Sequence, residues 1–219
     1  MSKETIWQFL KHKGFSDVAA AALMGNMEAE SNCVSCRLQG DFTDGFKRSA
    51  DYTAQVDAGS ISRHEFIYDG PGGGGYGLCQ WTYPPRKAGL YDLARDRGVS
   101  VGDESVQVEW LARELRQDEY KAVRETLEKS PSVRECSDAV VKRFLRPADQ
   151  SEAVLKKRAE LGREFFRQFS RAEAEDPDGM PPEGTVTVTE EEFRLYSRAC
   201  LVAAALRNLM KIMEGFENE

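Results

Sequence analysis

The stretch DGPGGGGYGLCQW, residues 69–81, places five glycines within positions 70–75 and then runs directly into Tyr76, Leu78, Gln80 and Trp81. Two ordinary readings of a glycine-rich run do not suit it. A phosphate-cradling loop needs a Lys with Ser or Thr at its end and a strand before it, whereas Gly72 to Gly75 lead into Tyr76-Gly77-Leu78. A flexible linker is polar on both sides, and YGLCQWTY (76–83) is too aromatic to be left loose in water. The segment therefore packs on something or binds something.

The chain around it has 219 residues, 41% hydrophobic and 31% charged, enough for one good core and a small appendage. The net charge of −7 is uneven: residues 1–170 carry 25 Lys and Arg against 26 Asp and Glu, while 171–219 carry 5 against 11. A near-neutral body gives no electrostatic reason to expect a nucleic-acid partner. The longest apolar run, ACLVAAAL (199–206), is too short to cross a bilayer, and no apolar stretch follows Met1-Ser2-Lys3. The expectation is a protein made in the cytoplasm without a signal peptide. Five cysteines argue against a complete disulfide framework. Cys33 and Cys36 form a C-x2-C pair, but no second pair accompanies them and His12 and His64 lack zinc-ligand spacing. Reduced, partly buried thiols are the plainer account than a partial metal site with Cys79. No metal and no cofactor is expected.

Upstream of the glycine run, Ile6, Phe9 and Leu10 recur at helical spacing before Gly14, and Ser16-Asp17 offers a cap for a second, alanine-rich helix reaching about Glu30. From 33 to 75 the pattern breaks into Gly, Asp and Ser punctuation, which predicts irregular structure with a small hairpin. Helical spacing returns at Leu90, Leu93 and Ala94, at Val108, Leu111 and Leu115, and at Tyr120, Val123 and Leu127. Ser132 with Glu135 reads as a capping box before Cys136, Val140 and Phe144, and 151–169 as a last amphipathic helix. Residues 1–169 thus form the body, 170–188 an acidic Pro/Gly-containing linker, and 189–219 a C-terminal helix opened by Thr189 and Glu192. Its apolar residues occupy more than one side, so it either docks on the body or pairs with another copy as a homo-oligomer.

Two constellations could carry chemistry. In GNMEAESN (25–32), Glu30 shares a helical face with Leu23, Asn26 and Met27, and Glu28 with Ala21, Met24 and Gly25. Desolvation and the negative end of the helix dipole both oppose ionisation of a carboxylate in the last turn, which suits a general acid. Wheel geometry does not choose between the two. The second constellation is Tyr76, Trp81 and Tyr83 with Gln80 among them. Such rings and amides can stack on sugar faces and hydrogen-bond their hydroxyls, or can simply be buried.

Taken together and in order, GNMEAESN, ADYTAQVDAG (50–59), GYGLCQWTYPPRKAGLYDLA (75–94), GVSVGD (98–103) and FLRPADQSEAVLKKRAELG (144–162) resemble the lysozyme superfamily, specifically the phage-tail lysozyme family of cell-wall hydrolases, over residues 4–169. The resemblance implies a mainly α, lysozyme-like α+β fold: a helical lobe with a small irregular or β-hairpin insertion around a cleft. It implies peptidoglycan glycan strands as the partner, and action on the wall after release or on a phage particle. It makes Glu30, immediately before Ser31, the catalytic acid, and places Tyr76, Gly77, Gln80, Trp81 and Tyr83 along the substrate cleft.

One position departs from the pattern. Where animal c-type lysozymes carry a second carboxylate just before the matching Tyr-Gly, this chain has Gly75. Ordinary glycosidases use two carboxylates. The partner of Glu30 is then Asp69, or Asp41, Asp44 or Asp57; alternatively Glu30 works alone, as in lytic transglycosylases that form anhydro products. A module that keeps the fold for wall binding without catalysis is a further alternative.

Overall fold

The structure, a computed structural model, describes residues 3–170. The expected linker and C-terminal helix lie outside the described residues. Within them the chain is mainly α-helical, and its β structure consists of isolated bridges.

The central element is α2 (Asp17–Ser31), following α1 (Lys3–His12). Ser16 starts it as expected, its hydroxyl accepting from Ala19 N at 3.2 Å. Ala19 to Met24 and Met27 are all buried, so the helix is covered on every side and small side chains let its neighbours come close. The closest is α9 (Glu152–Phe169). A Cβ added to Gly25 would lie 2.4 Å from Gly162 N and 2.6 Å from Arg158 O, and one added to Gly162 would lie 3.0 Å from Ala21 O. The two helices therefore touch backbone to backbone, with Arg158 placed beside the last turns of α2.

The rest of the helical lobe comprises α5 (Pro84–Arg97), α6 (Glu104–Leu115), α7 (Lys121–Lys129) and α8 (Val133–Ala139), which continues as a wide π turn over Val140–Leu145. α5 begins on a proline, which has no N–H to leave unsatisfied. Asp103 caps α6 through Ser105 N and Val106 N at 2.8 and 3.3 Å. The capping box expected at α8 is half formed: Ser132 accepts from Glu135 N, while the Glu135 carboxylate accepts from Ser130 Oγ instead.

The insertion differs from the expected irregular stretch with a hairpin. It contains two helices, α3 (Lys47–Asp57) and α4 (Arg63–Tyr68), and only two bridges, Leu38 with Tyr76 and Tyr76 with Trp81. The physical reason lies in caps that the Gly and Ser punctuation concealed. Asp41, fully buried, accepts from Thr43 N and Oγ and from Ser49 N and Oγ, and so fixes the start of α3. Burial alone would raise its pKa, but those four hydrogen bonds win and hold the carboxyl well below the usual range. Ser62 and Glu65 form a complete capping box on α4. Tyr52, Val56 and Phe66 then bury the inner faces of the two helices.

Candidate active site

Helix α2 ends where Asn32 and Cys33 both adopt left-handed backbone, with Asn32 N donating to Glu28 O at 2.9 Å. The last turn carries both glutamates, and the structure separates them. Glu28 turns toward α1 and pairs with Lys3 Nζ at 2.7 Å. Glu30 turns toward α9, where its Oε1 accepts from Arg158 Nη1 at 2.7 Å; its side chain is 17% exposed and that of Arg158 10%. Oε2 of Glu30 makes no hydrogen bond to any described residue, so one oxygen is held and the other remains available.

Arg158 is itself held. Its Nη1 also reaches Asn26 Oδ1 at 3.3 Å, and Asn26 Nδ2 donates to Ala22 O at 2.9 Å and Ser137 Oγ at 3.1 Å. Ser137, Asn26 and Arg158 form a buried polar chain across α8, α2 and α9 that ends on the Glu30 carboxylate. A network satisfied in this way fixes side-chain geometry, because each member has lost its water and depends on its neighbours.

The glycine run answers its own question by packing. Ser31 Oγ, next to Glu30, lies 2.9 Å from Met27 O and 3.1 Å from Leu78 O, and this tie joins the end of α2 to segment 75–81. Gly77 (φ +78) and Gln80 (φ +47) make the reversal between Tyr76 and Trp81, closed by Trp81 N to Tyr76 O at 2.9 Å. A Cβ on Gly77 would meet Gln107 Oε1 at 2.6 Å, so this glycine is required twice over. Gln107 is fully buried; its Oε1 accepts from Leu78 N, and its Nε2 donates to Ser35 O and Val101 O.

Tyr76 and Trp81, expected along the cleft, have their rings inside the core. Tyr76 is fully buried, hydrogen-bonded to Thr53 Oγ1 at 2.7 Å, and edge-on to Phe66. Burial pushes its hydroxyl pKa far up, so it stays protonated. Trp81 Nε1 donates to Glu114 Oε2 at 2.7 Å, and Arg86 grips the same carboxylate through Nε at 2.6 Å and Nη2 at 3.0 Å. The rings thus support the segment from behind. Gln80 keeps its side chain nearer the surface, with Nε2 donating to Arg37 O and Gly77 O. Tyr83 is 65% exposed at the start of α5.

The candidate second carboxylates are dispersed. Asp69 follows α4, largely exposed, with His64 Nδ1 at 3.5 Å. Asp41 is committed to Thr43 and Ser49, and Asp57 is tied to Ser100 Oγ and Val101 N. Asp44 is exposed. At Gly75 a Cβ would stand 3.0 Å from both Gln39 Oε1 and Gln80 Oε1, so two amide oxygens surround the place where a longer side chain would be rooted. Underneath, Lys87 is buried and donates to Gly74 O at 2.9 Å, which fastens the glycine run; burial lowers its pKa to about 8. Cys33, Cys79 and Cys136 are buried and free, and burial pushes each thiol up. Among the described residues no group of three or more His, Cys, Asp or Glu could hold a metal ion, and no helix is long and apolar enough to cross a membrane.

A family model described as phage tail lysozyme matches residues 2–169, which is most of the chain and includes every residue of this site. The chain belongs to the phage tail lysozyme family. No curated protein and no solved structure matches it. Membership gives the chain a lysozyme-like, peptidoglycan-lytic character. Asn26, which the sequence places on the face of Glu30, and Arg158, Gln107, Glu114, Arg86 and Lys87, which it did not single out, are the residues that hold the segment and Glu30 in place.

Proposed function

We propose that the protein cleaves the β-1,4 bond between N-acetylmuramic acid and N-acetylglucosamine in peptidoglycan, with Glu30 as the proton donor. The observation that carries this is the buried grip on Glu30: its partner Arg158 is 10% exposed, whereas Lys3, the partner of Glu28, is 45% exposed. Arg158 fixes Oε1 from inside the helical lobe and leaves Oε2 free to carry the proton toward the glycosidic oxygen. As the proton leaves, the carboxylate that forms already has a charge-assisted hydrogen bond in place, so the charge develops in a preorganised setting. Segment 75–81 lies beside this acid through the Ser31–Leu78 tie, and Gln80, its one part-exposed side chain, is the group it can present to a sugar. Asp69 is the candidate for the second carboxylate of a muramidase.

A lytic transglycosylase is the second reading. It is favoured by Gly75 among two glutamine oxygens and by the structural commitment of Asp41 and Asp57, which leave few carboxylates to activate water. The test is mass spectrometry of muropeptides released from purified peptidoglycan. Reducing muramic ends support the muramidase, anhydro ends the transglycosylase, and no release by the wild type overturns both in favour of a wall-binding module.

A further inference from the structure

Away from Glu30, the insertion contains a cavity of about 540 Å³ at the start of α3, of a size typical for small-ligand sites. Leu38, Tyr52 and Pro71 give it apolar wall, and Asp44, Lys47, Arg48 and Asp51 bring two charges of each sign to its lining. These four charged side chains form no ion pair with one another or with any other described residue. Lys47 and Asp51 lie four residues apart on α3, both exposed and unpaired. The scaffold beneath is rigid, because buried Asp41 ties the first turn of α3 through Ser49 and the loop before it through Thr43, with two hydrogen bonds to each. Tyr52, 9% exposed, carries a buried hydroxyl that has no hydrogen-bond partner.

We infer that this cavity takes the short peptide borne by the muramic acid residues of peptidoglycan. The inference rests on the peptidoglycan reading above and adds a second part of the same polymer to it. Such a peptide presents free carboxylates and, on a diamino acid, an amine, and the lining offers cations and anions that no internal partner has claimed. Its position suits the branch of a glycan held beside Glu30. Leu38 bridges to Tyr76 at one margin of segment 75–81, while Leu78 in the same segment meets Ser31 beside Glu30. The segment itself is buried apart from Gln80, but it ties the cavity wall to the end of α2, so a glycan bound over Glu30 brings its side peptide toward α3.

The test uses the full chain and its Lys47→Glu/Arg48→Glu double variant, both positions exposed and remote from the core. Each is assayed below saturation on peptide-bearing glycan strands and on the same strands stripped of peptide by an amidase. The expected result is a fall of roughly 3- to 10-fold for the variant on peptide-bearing strands only, as for the loss of two exposed charge contacts. An equal fall on both substrates, or no fall on either, overturns the inference while leaving the catalytic reading intact. Binding is read separately by the amide resonances of α3 on titration with the disaccharide tetrapeptide and with the peptide-free disaccharide. Shifts in α3 with the first alone support the site even for a chain that cleaves neither substrate, and their absence overturns it.

Discussion

Gly25→Ala sets two physical effects of opposite sign against each other. Replacing glycine by alanine inside a helix ordinarily stabilises it by about 1 kcal/mol. Here the new Cβ would lie 2.4 Å from Gly162 N and 2.6 Å from Arg158 O, both backbone atoms that cannot rotate aside. Ordinary contact requires α2 and α9 to part by roughly 1 Å, and forced overpacking of this kind costs about 1–3 kcal/mol or somewhat more. The close approach should win by about 1–2 kcal/mol, which for a body of this size lowers Tm by roughly 2–8 °C. The same parting draws Arg158 away from Glu30, so lytic activity below Tm should fall further than the unfolded fraction explains. Thermal denaturation followed by circular dichroism, with turbidity loss of a peptidoglycan suspension, measures both. A Tm equal to or above that of the wild type would refute the reasoning, since propensity alone would then govern the site.

Gly77→Ala combines a left-handed φ of +78° with a 2.6 Å clash against Gln107, and should cost about 2–4 kcal/mol in denaturant unfolding and abolish lysis. Glu114→Gln leaves Arg86 without its buried partner and should destabilise by about 3 kcal/mol, with Trp81 fluorescence changing in the folded state because Nε1 loses its carboxylate. Glu104 is buried with one oxygen unpartnered, and burial raises its pKa from 4.5 to about 7. The folded state therefore holds this proton more tightly than the unfolded chain, and the group's contribution is lost as pH rises from about 4 through 7. Glu104→Gln should match the wild type at pH 4 and exceed it by roughly 3 kcal/mol at pH 8 in urea titrations; equal midpoints at both pH values would refute the assignment.

The helical lobe was legible because its signals are local and repeated. Ser16 and Ser132 cap where their sequence positions suggest, and Leu90, Leu93, Val108, Leu111, Val123 and Leu127 bury the faces that their spacing defines. The insertion was harder to read, since the buried Asp41 cap uses Ser49, eight residues away, and no short window contains it. The aromatic segment was ambiguous for a different reason: a ring that stacks on sugar and a ring that fills a core have the same composition. Only Glu114, 33 residues beyond Trp81, shows which way that indole points. The supporting polar residues did leave a signal. Lys87 precedes Leu90 and Ala94 on the buried face of α5, Gln107 and Glu114 flank Leu111 on α6, and Arg158 lies between Leu155 and Gly162 on α9. Polar groups on a core-facing stripe need buried partners, and that rule points to all four positions without naming the partner at any of them.

The central claim is that Glu30, and not its neighbour Glu28, donates the proton. The most direct measurement compares wild type, Glu30→Gln and Glu28→Gln for muropeptide release from purified peptidoglycan, with circular dichroism confirming that each is folded. The account predicts a loss of about 10²-fold or more for Glu30→Gln, the scale of a removed general acid, and release within a few-fold of wild type for Glu28→Gln. Release by Glu30→Gln at the wild-type rate, or a greater loss in Glu28→Gln, would contradict it.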